Sequence, residues 1–258
     1  MTHILIRSEC RDNEKRVGIT PLEAKNLLNH GIKVSIEESK SRIIPVSNYR
    51  DVGCEIVKEK SWPNAPLETI IFGLKELPDD PFPLKHRHIM FGHAFKGQPT
   101  AKNLLNRFKA GGGVLYDIEY LIAPTGKRVA AFGYWAGYAG AAVTISCWVS
   151  QKAKKSPKTF TPYQDKDSLD RQIKCELEKS KHSPKNAIVI GSLGRVGSGV
   201  IDLCEKMSIK MTKWDILGTS KKQDFSEILD HDLFFNCVVA NKETPTFISE
   251  GIIRRNQN

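Results

Sequence analysis

The sequence predicts an α/β protein of two doubly wound domains, the second incomplete at its C-terminus. Strand-like and helix-like segments take turns along the first half of the chain, the pattern of a mostly parallel sheet covered by helices. A glycine-rich turn, "VIGSLGRVGSG" at 189–199, joins an apolar run to a second alternating unit. Between them, residues 151–185 are polar and punctuated by proline and serine, so the chain is expected to divide into 1–134 and 135–258.

"HILIR" reads as the first strand. Thr20-Pro21, with Glu23 three positions after Thr20, forms a capping box with proline at the first helical position. The helix that follows, "LEAKNLLNHG", is expected to bury Leu22, Ala24, Leu27 and Leu28 and to stop at Gly31. "KVSIEES" is a strand, "SNYRDVGC" a short helix, and "TIIFGL" and "HIMFGH" are strands. "TAKNLLNRFKAGGG" is a helix closed by glycines, and "GVLYDIEYL" a strand. Residues 130–150 form a long apolar helix, in which Gly133, Gly137 and Gly140 allow a neighbour close to the backbone. Its serines and polar flanks favour a buried interdomain helix over a membrane seam. After Gly191 come three strands, "AIVI", "IKMTKW" and "DLFFNCVVA", with "VIDLCEKM" starting the intervening helix.

Composition narrows the classes. With 40% hydrophobic and 26% charged residues the chain is expected to be globular with ample core. No run approaches the ~20 apolar residues of a membrane span, and the N-terminus lacks a signal layout. Six cysteines scattered without a CxxC pair suit reduced thiols and a cytoplasmic setting. Much of the net charge of +10 lies in "QKAKKSPKTF" and "KCELEKSKHSPK". These lack aromatic interleaving and any nucleic-acid reader motif, so a solvated face is expected. Attraction of anionic substrates is the intermediate use. His86, His88 and His93 do not share one strand face and no cysteine supports them, so no metal site is expected.

Two strands end on ionisable groups: "IFGLKELP" delivers Lys75 and Glu76, and "FGHAFKGQ" delivers His93. Open parallel sheets place ligands beyond the carboxyl ends of their strands. A lysine at a strand end is also a common solvated turn residue, and this pattern alone leaves both readings standing. The second-half loop is more specific. Its glycines at 191, 194, 197 and 199 let backbone N–H groups approach a pyrophosphate at a helix N-terminus, as in Rossmann-like folds. Asp215 ends the next strand 24 residues after Gly191. A carboxylate there suits the ribose hydroxyls and repels a 2′-phosphate, favouring NAD over NADP.

"NEKRVGITP", "IFGLKELP", "FGHAFKGQ", "LYDIEYL", "GKRVAAFGYWAGYAGAA", "GSLGRVGSG" and "KWDILGTS", in this order, closely resemble the lysine-forming, NAD-dependent saccharopine dehydrogenases of the α-aminoadipate pathway. Alanine dehydrogenases and the N-terminal part of nicotinamide nucleotide transhydrogenases are more distant relatives. The resemblance covers almost the whole chain. It implies oxidation of saccharopine with NAD⁺ and hydrolysis of the imine to lysine and 2-oxoglutarate, by a chain that is a monomer when complete.

By matching motif, Lys75 is the implied base for the amine proton and His93 the acid/base group for imine hydrolysis. A lysine base must be neutral, which neighbouring cations such as Arg16, Arg128 and the nicotinamide ring favour. Arg16, Gln98, Arg128 and Phe132 fall on substrate positions, and arginine suits a substrate of three carboxylates because its planar fork grips each bidentately. Gly194, Arg195, Asp215 and Thr219 fall on cofactor positions. Glu76 and Glu119 balance the cationic pocket or serve as salt-bridged scaffold.

Departures from the family pattern are Lys127 in place of a cofactor-contacting arginine, and Val239 where a tyrosine flanks the adenine. Val196 replaces a cysteine that pairs with the position of Cys237. The three strands after Gly191 build one nucleotide half of a fold that needs about six, so the sequence reads as C-terminally truncated. The implied activity therefore stands beside a second reading, a catalytically inactive fragment binding at most a nucleotide or a partner. A third, another amino-acid dehydrogenase, is opposed by the RVAAFG and GRVGSG motifs.

Overall fold

A computed structural model of the chain describes residues 1–95, 97–215, 224–242 and 244–255. The chain divides into two compact units, Met1–Ala131 and Phe132–Asn258. Among the described residues each unit holds one all-parallel sheet.

The first unit runs β1 (His3–Ile6), α1 (Pro21–Asn29), β2 (Lys33–Glu37), α2 (Val46–Asp51), β3 (Glu55–Val57), β4 (Ile70–Lys75), β5 (Arg87–Phe91), α3 (Ala101–Gly111) and β6 (Val114–Asp117). The strand order is β3-β2-β1-β4-β5-β6. The reversal on either side of β1 makes it doubly wound, with the crevice at the carboxyl ends. The capping box forms as the sequence predicts: the Glu23 N–H donates to Thr20 Oγ1, and Glu23 Oε2 accepts from the Thr20 N–H at 2.7 Å.

Three details differ from expectation. Leu22 is exposed, because at 100° per residue it points away from the face shared by Ala24, Leu27 and Leu28. β3 is an unforeseen three-residue edge strand, too short to show a period. The run expected to be strand through Leu121 stops at Asp117 and turns into a 3₁₀ turn, Ile118–Tyr120.

The second unit contains α4 (Gly133–Lys152), α5 (Lys166–Ser180), β7 (Asn186–Ile190), α6 (Arg195–Lys206), β8 (Lys210–Trp214), β9 (Leu233–Asn236) and α7 (Glu250–Arg255). Its sheet order is β8-β7-β9. Alternate β7 side chains enter different layers: Ala187 and Val189 join Tyr138, Ile145, Ile173 and Leu203, while Ile188 and Ile190 join Phe225, Ile228 and Phe247. That alternation is why "NAIVI" is apolar throughout; both faces are covered.

Part of the polar stretch 151–185 is helical. Asp165 caps α5, and Leu169, Ile173 and Leu177, spaced at i, i+4 and i+8, enter the core. α6 begins at Arg195 rather than near Val200, so Gly197 and Gly199 lie inside a helix. A Cβ on Gly199 would strike the Tyr134 carbonyl, and one on Gly137 the Val196 carbonyl. These glycines let α4 and α6 touch backbone to backbone. Gly140, expected to serve the same purpose, faces open space.

Candidate active site

Four consecutive strands of the first sheet, β1-β4-β5-β6, bring ionisable groups to one carboxyl edge. β1 is followed by Arg7 and Glu9, β4 ends at Lys75, β5 leads to His93, and β6 ends at Asp117 just before Glu119. Register pairs Lys75 with Phe91, so His93 lies two residues beyond the position facing Lys75.

The Lys75 backbone is gripped from both sides. Glu9 accepts from the Leu74 N–H at 2.7 Å and the Lys75 N–H at 3.1 Å. The Arg7 guanidinium, 1% exposed, donates to the Lys75 carbonyl. Arg7 occupies the space a side chain on residue 73 would need, which explains glycine there, and the register of β4 against β5 shifts between Phe72 and Lys75. A carboxylate bound to two backbone N–H groups fixes the strand end with charge-assisted bonds, the stronger kind.

His93 adopts a left-handed backbone, φ 50°, an uncommon state for a residue with a side chain. Its ring stacks on Phe91, with centroids 6.4 Å apart. Its buried Nδ1 lies 3.9 Å from Glu119 Oε2, beyond hydrogen-bond reach. Glu119, 8% exposed, accepts from Arg128 Nη2 at 2.7 Å. Arg128 and Lys127 sit on a loop closed by an isolated Ile122–Arg128 antiparallel bridge.

Arg16 is held by Glu14, whose two oxygens accept from Nε at 2.8 Å and Nη2 at 2.6 Å. Burial works to raise the Glu14 carboxyl, but the Arg16 hydrogen bonds and charge, with Lys75 adding to them, hold it below the usual carboxylate range. Glu76 is paired with Arg11. Gln98 is exposed just ahead of α3. Phe132 precedes α4 in the second unit and is 43% exposed.

In the second unit Gly191 takes φ +83°, and its N–H and that of Ser192 donate to the Trp214 carbonyl at 2.9 and 3.1 Å. The register that pairs Ile190 with Trp214 puts Asp215 beside this turn, and Asp215 Oδ2 accepts from the Leu193 N–H at 3.1 Å. Gly194 begins α6 without a side-chain cap, and the exposed Arg195 is its first residue. A helix N-terminus behind a glycine turn, with a carboxylate one strand over, is a donor set that fits a dinucleotide. Val239 is exposed beyond β9. Thr219 lies outside the described residues.

Sequence reasoning passed over Glu9, Glu14 and Asp117. Glu14 stands inside the quoted "NEKRVGITP", two residues before Arg16, and that spacing was the available signal. Glu9 and Asp117 bond to backbone that is distant in sequence, and nothing local announces it. His86 and His88 are buried and face Trp62, with ring centroids 6.2 and 5.0 Å away. They belong to the core under β5 and not to this edge.

This arrangement of sheet and site defines a class. Residues 5–139 match the family model for the alanine dehydrogenase/PNT N-terminal domain. An L-alanine dehydrogenase structure shares the fold, with a TM-score of 0.56 at 14% identity over 98% of this chain and 71% of that one. The chain belongs to the family of the saccharopine dehydrogenases [NAD(+), L-lysine-forming]. It is 41% identical to the one from Candida albicans over 98% of this chain and 71% of that protein. It is 40% identical to the one from Yarrowia lipolytica over 97% of this chain and 70% of that protein.

Proposed function

We infer that this chain carries out the NAD-dependent oxidative deamination of saccharopine to L-lysine and 2-oxoglutarate, a step of lysine biosynthesis. The observation that carries the reading is the row of strand ends: Lys75, His93 and Glu119 follow three adjacent parallel strands, with Arg16 and Arg128 on loops of the same unit. Its weight comes from family membership together with this juxtaposition.

Lys75 takes the proton of the secondary amine as the carbon beside it gives up a hydride. NAD⁺, when bound, supplies the acceptor for that hydride. The resulting imine adds water. His93 removes the water proton and returns one to the lysine nitrogen as the carbon–nitrogen bond breaks, because an imidazole can both accept and donate a proton. Arg16 and Arg128 hold substrate carboxylates through their planar forks, while Glu14 and Glu119 fix the forks and limit the accumulated positive charge. Gln98 and Phe132 complete the substrate contacts. In the second unit, Gly194 and Arg195 at the start of α6 receive the pyrophosphate, Asp215 the adenosine ribose, and Thr219 and Val239 make further cofactor contacts, a role the family resemblance also gives to Lys127. The family resemblance implies that the complete protein works as a monomer. All six cysteines are free thiols, consistent with a reducing cytoplasm.

The test is turnover with saccharopine and NAD⁺, followed by absorbance of the reduced cofactor. Lys75→Met should lower kcat by roughly 10²–10⁴-fold, as for loss of a positioned acid/base group. His93→Gln should lose the same or less, because water partly substitutes in hydrolysis. Near wild-type turnover in both variants overturns the assignment.

A further inference from the structure

Asp117 closes β6, and among the described residues its carboxylate makes three hydrogen bonds, all to backbone N–H groups. Oδ1 accepts from Gly92 and from Glu119, each at 3.1 Å. Oδ2 accepts from Ala94 at 3.1 Å. Gly92 and Ala94 flank His93, the residue held at φ 50°. Backbone N–H groups on either side of a left-handed residue form a concavity that binds an anion, and here the anion is a side chain of the neighbouring strand. The site is closely fitted: a Cβ on residue 92 would come within 3.4 Å of Asp117 Oδ2 and of Leu115 Cδ2. The bond from the Glu119 N–H reaches the residue whose carboxylate faces His93 and pairs with Arg128.

We propose that Asp117 is a positioning residue for the acid/base step, one carboxylate that sets the His93 backbone and the Glu119 backbone together and so aims the imidazole. The proposal rests on the reading of His93 given above. It asks nothing of Asp117 as a proton carrier; its oxygens are engaged by the main chain. Without it the left-handed turn has no bonded partner on either flank among the described residues, His93 relaxes toward ordinary backbone, and its ring leaves Phe91. The isosteric Asp117→Asn isolates the effect. If its oxygen keeps the Gly92 and Glu119 bonds, its amide must face the Ala94 N–H, donor against donor.

Two measurements on the whole chain separate the proposal from the reading beneath it. The first follows the imidazole resonances of His93 by NMR, assigned by their loss in His93→Gln. In Asp117→Asn they should move away from their wild-type shifts toward those of a solvent-exposed histidine, with the other histidines unmoved. The second is kinetic. Asp117→Asn should lower kcat between about 10-fold and 10²-fold, as expected for displacement of a reacting group by up to ~1 Å, with KM for saccharopine changed far less. The same substitution in a His93→Gln background should cost nothing more. If Asp117→Asn does not fold, Asp117→Ser, which keeps one acceptor, is read in the same way.

Unchanged His93 resonances overturn the proposal, as does an undiminished loss of kcat in the His93→Gln background. Full activity of His93→Gln itself would instead overturn the role of His93, while the resonances still decide whether Asp117 positions it.

Discussion

Replacing His88 with leucine should remove a large part of the acid sensitivity of the first unit. His88 is 1% exposed and sits among Trp62, His86 and Phe108, and neither ring nitrogen has a hydrogen-bond partner among the described residues. Burial, reinforced by the charges of Arg7, His86 and Arg107, pushes its pKa down to about 3. The unfolded chain titrates near the ordinary value of 6.5. Between these values the unfolded state binds one more proton than the folded state. Stability is therefore full above the unfolded value and declines as pH falls toward the folded one, by about 1.4 kcal/mol per unit. From pH 8 to pH 5 the loss attributable to His88 is about 2 kcal/mol. At pH 8 His88→Leu should lie within about 1 kcal/mol of wild type, because removing unsatisfied buried nitrogens offsets the lost ring contacts. The assay is urea unfolding across pH 5–8, with hydrogen exchange of β4 and β5 to assign the transition to the first unit. Carboxylates titrate in both proteins, so the difference between the two curves carries the answer. Parallel curves would refute the reasoning, since they would mean that His88 meets protons equally well folded and unfolded.

Asp215→Asn should relax the preference for NAD(H) over NADP(H) without abolishing NAD(H) binding, because the repulsion of a 2′-phosphate goes while hydrogen bonding to the ribose survives. Paired titrations with the two cofactors measure it, and wild-type binding of NADP(H) as tight as NAD(H) would remove Asp215 from that role. Gly199→Ala should destabilise the second unit by about 1–3 kcal/mol or more, since its methyl would meet the Tyr134 carbonyl of α4. Gly140→Ala, facing open space in the same helix pair, should be neutral or stabilising by up to about 1 kcal/mol. Thermal melts of the two variants side by side check both, and equal shifts would contradict the packing described for α4 and α6.

Much of the site is legible in the sequence because its main groups sit where a local pattern ends. "TIIFGL" and "HIMFGH" read as strands from their apolar content, so Lys75 and His93 fall at carboxyl ends without knowledge of the fold. The glycine turn, its preceding strand and Asp215 mark the half proposed to hold the cofactor by the same local logic. Thr20, Pro21 and Glu23 fix a helix start within four residues. The errors also have local causes. Leu22 reads as buried from its apolar side chain but lies off the shared face, β3 is too short to show a period, and the glycines at 197 and 199 read as a turn although Gly199 serves a helix contact and Gly197 packs inside α6 against the Gly191 carbonyl.

What only the tertiary structure decided is the set of bonds between side chains and distant backbone. Glu9 holds Leu74 and Lys75 across 65 and 66 residues, and Asp117 holds Gly92 and Ala94 across 25 and 23. The burial of Arg7 against the Lys75 carbonyl and the dry, neutral setting of His88 are of the same kind. A sequence period reports which face of an element is apolar. It carries no record of which strand lies beside which, and strand order β1-β4-β5-β6 is what sets Glu9 beside Lys75 and Asp117 beside His93. The sequence by itself thus determined which groups reach the edge of the sheet. The order of the strands determined which carboxylates hold them there, because a hydrogen bond depends on proximity in space and not along the chain.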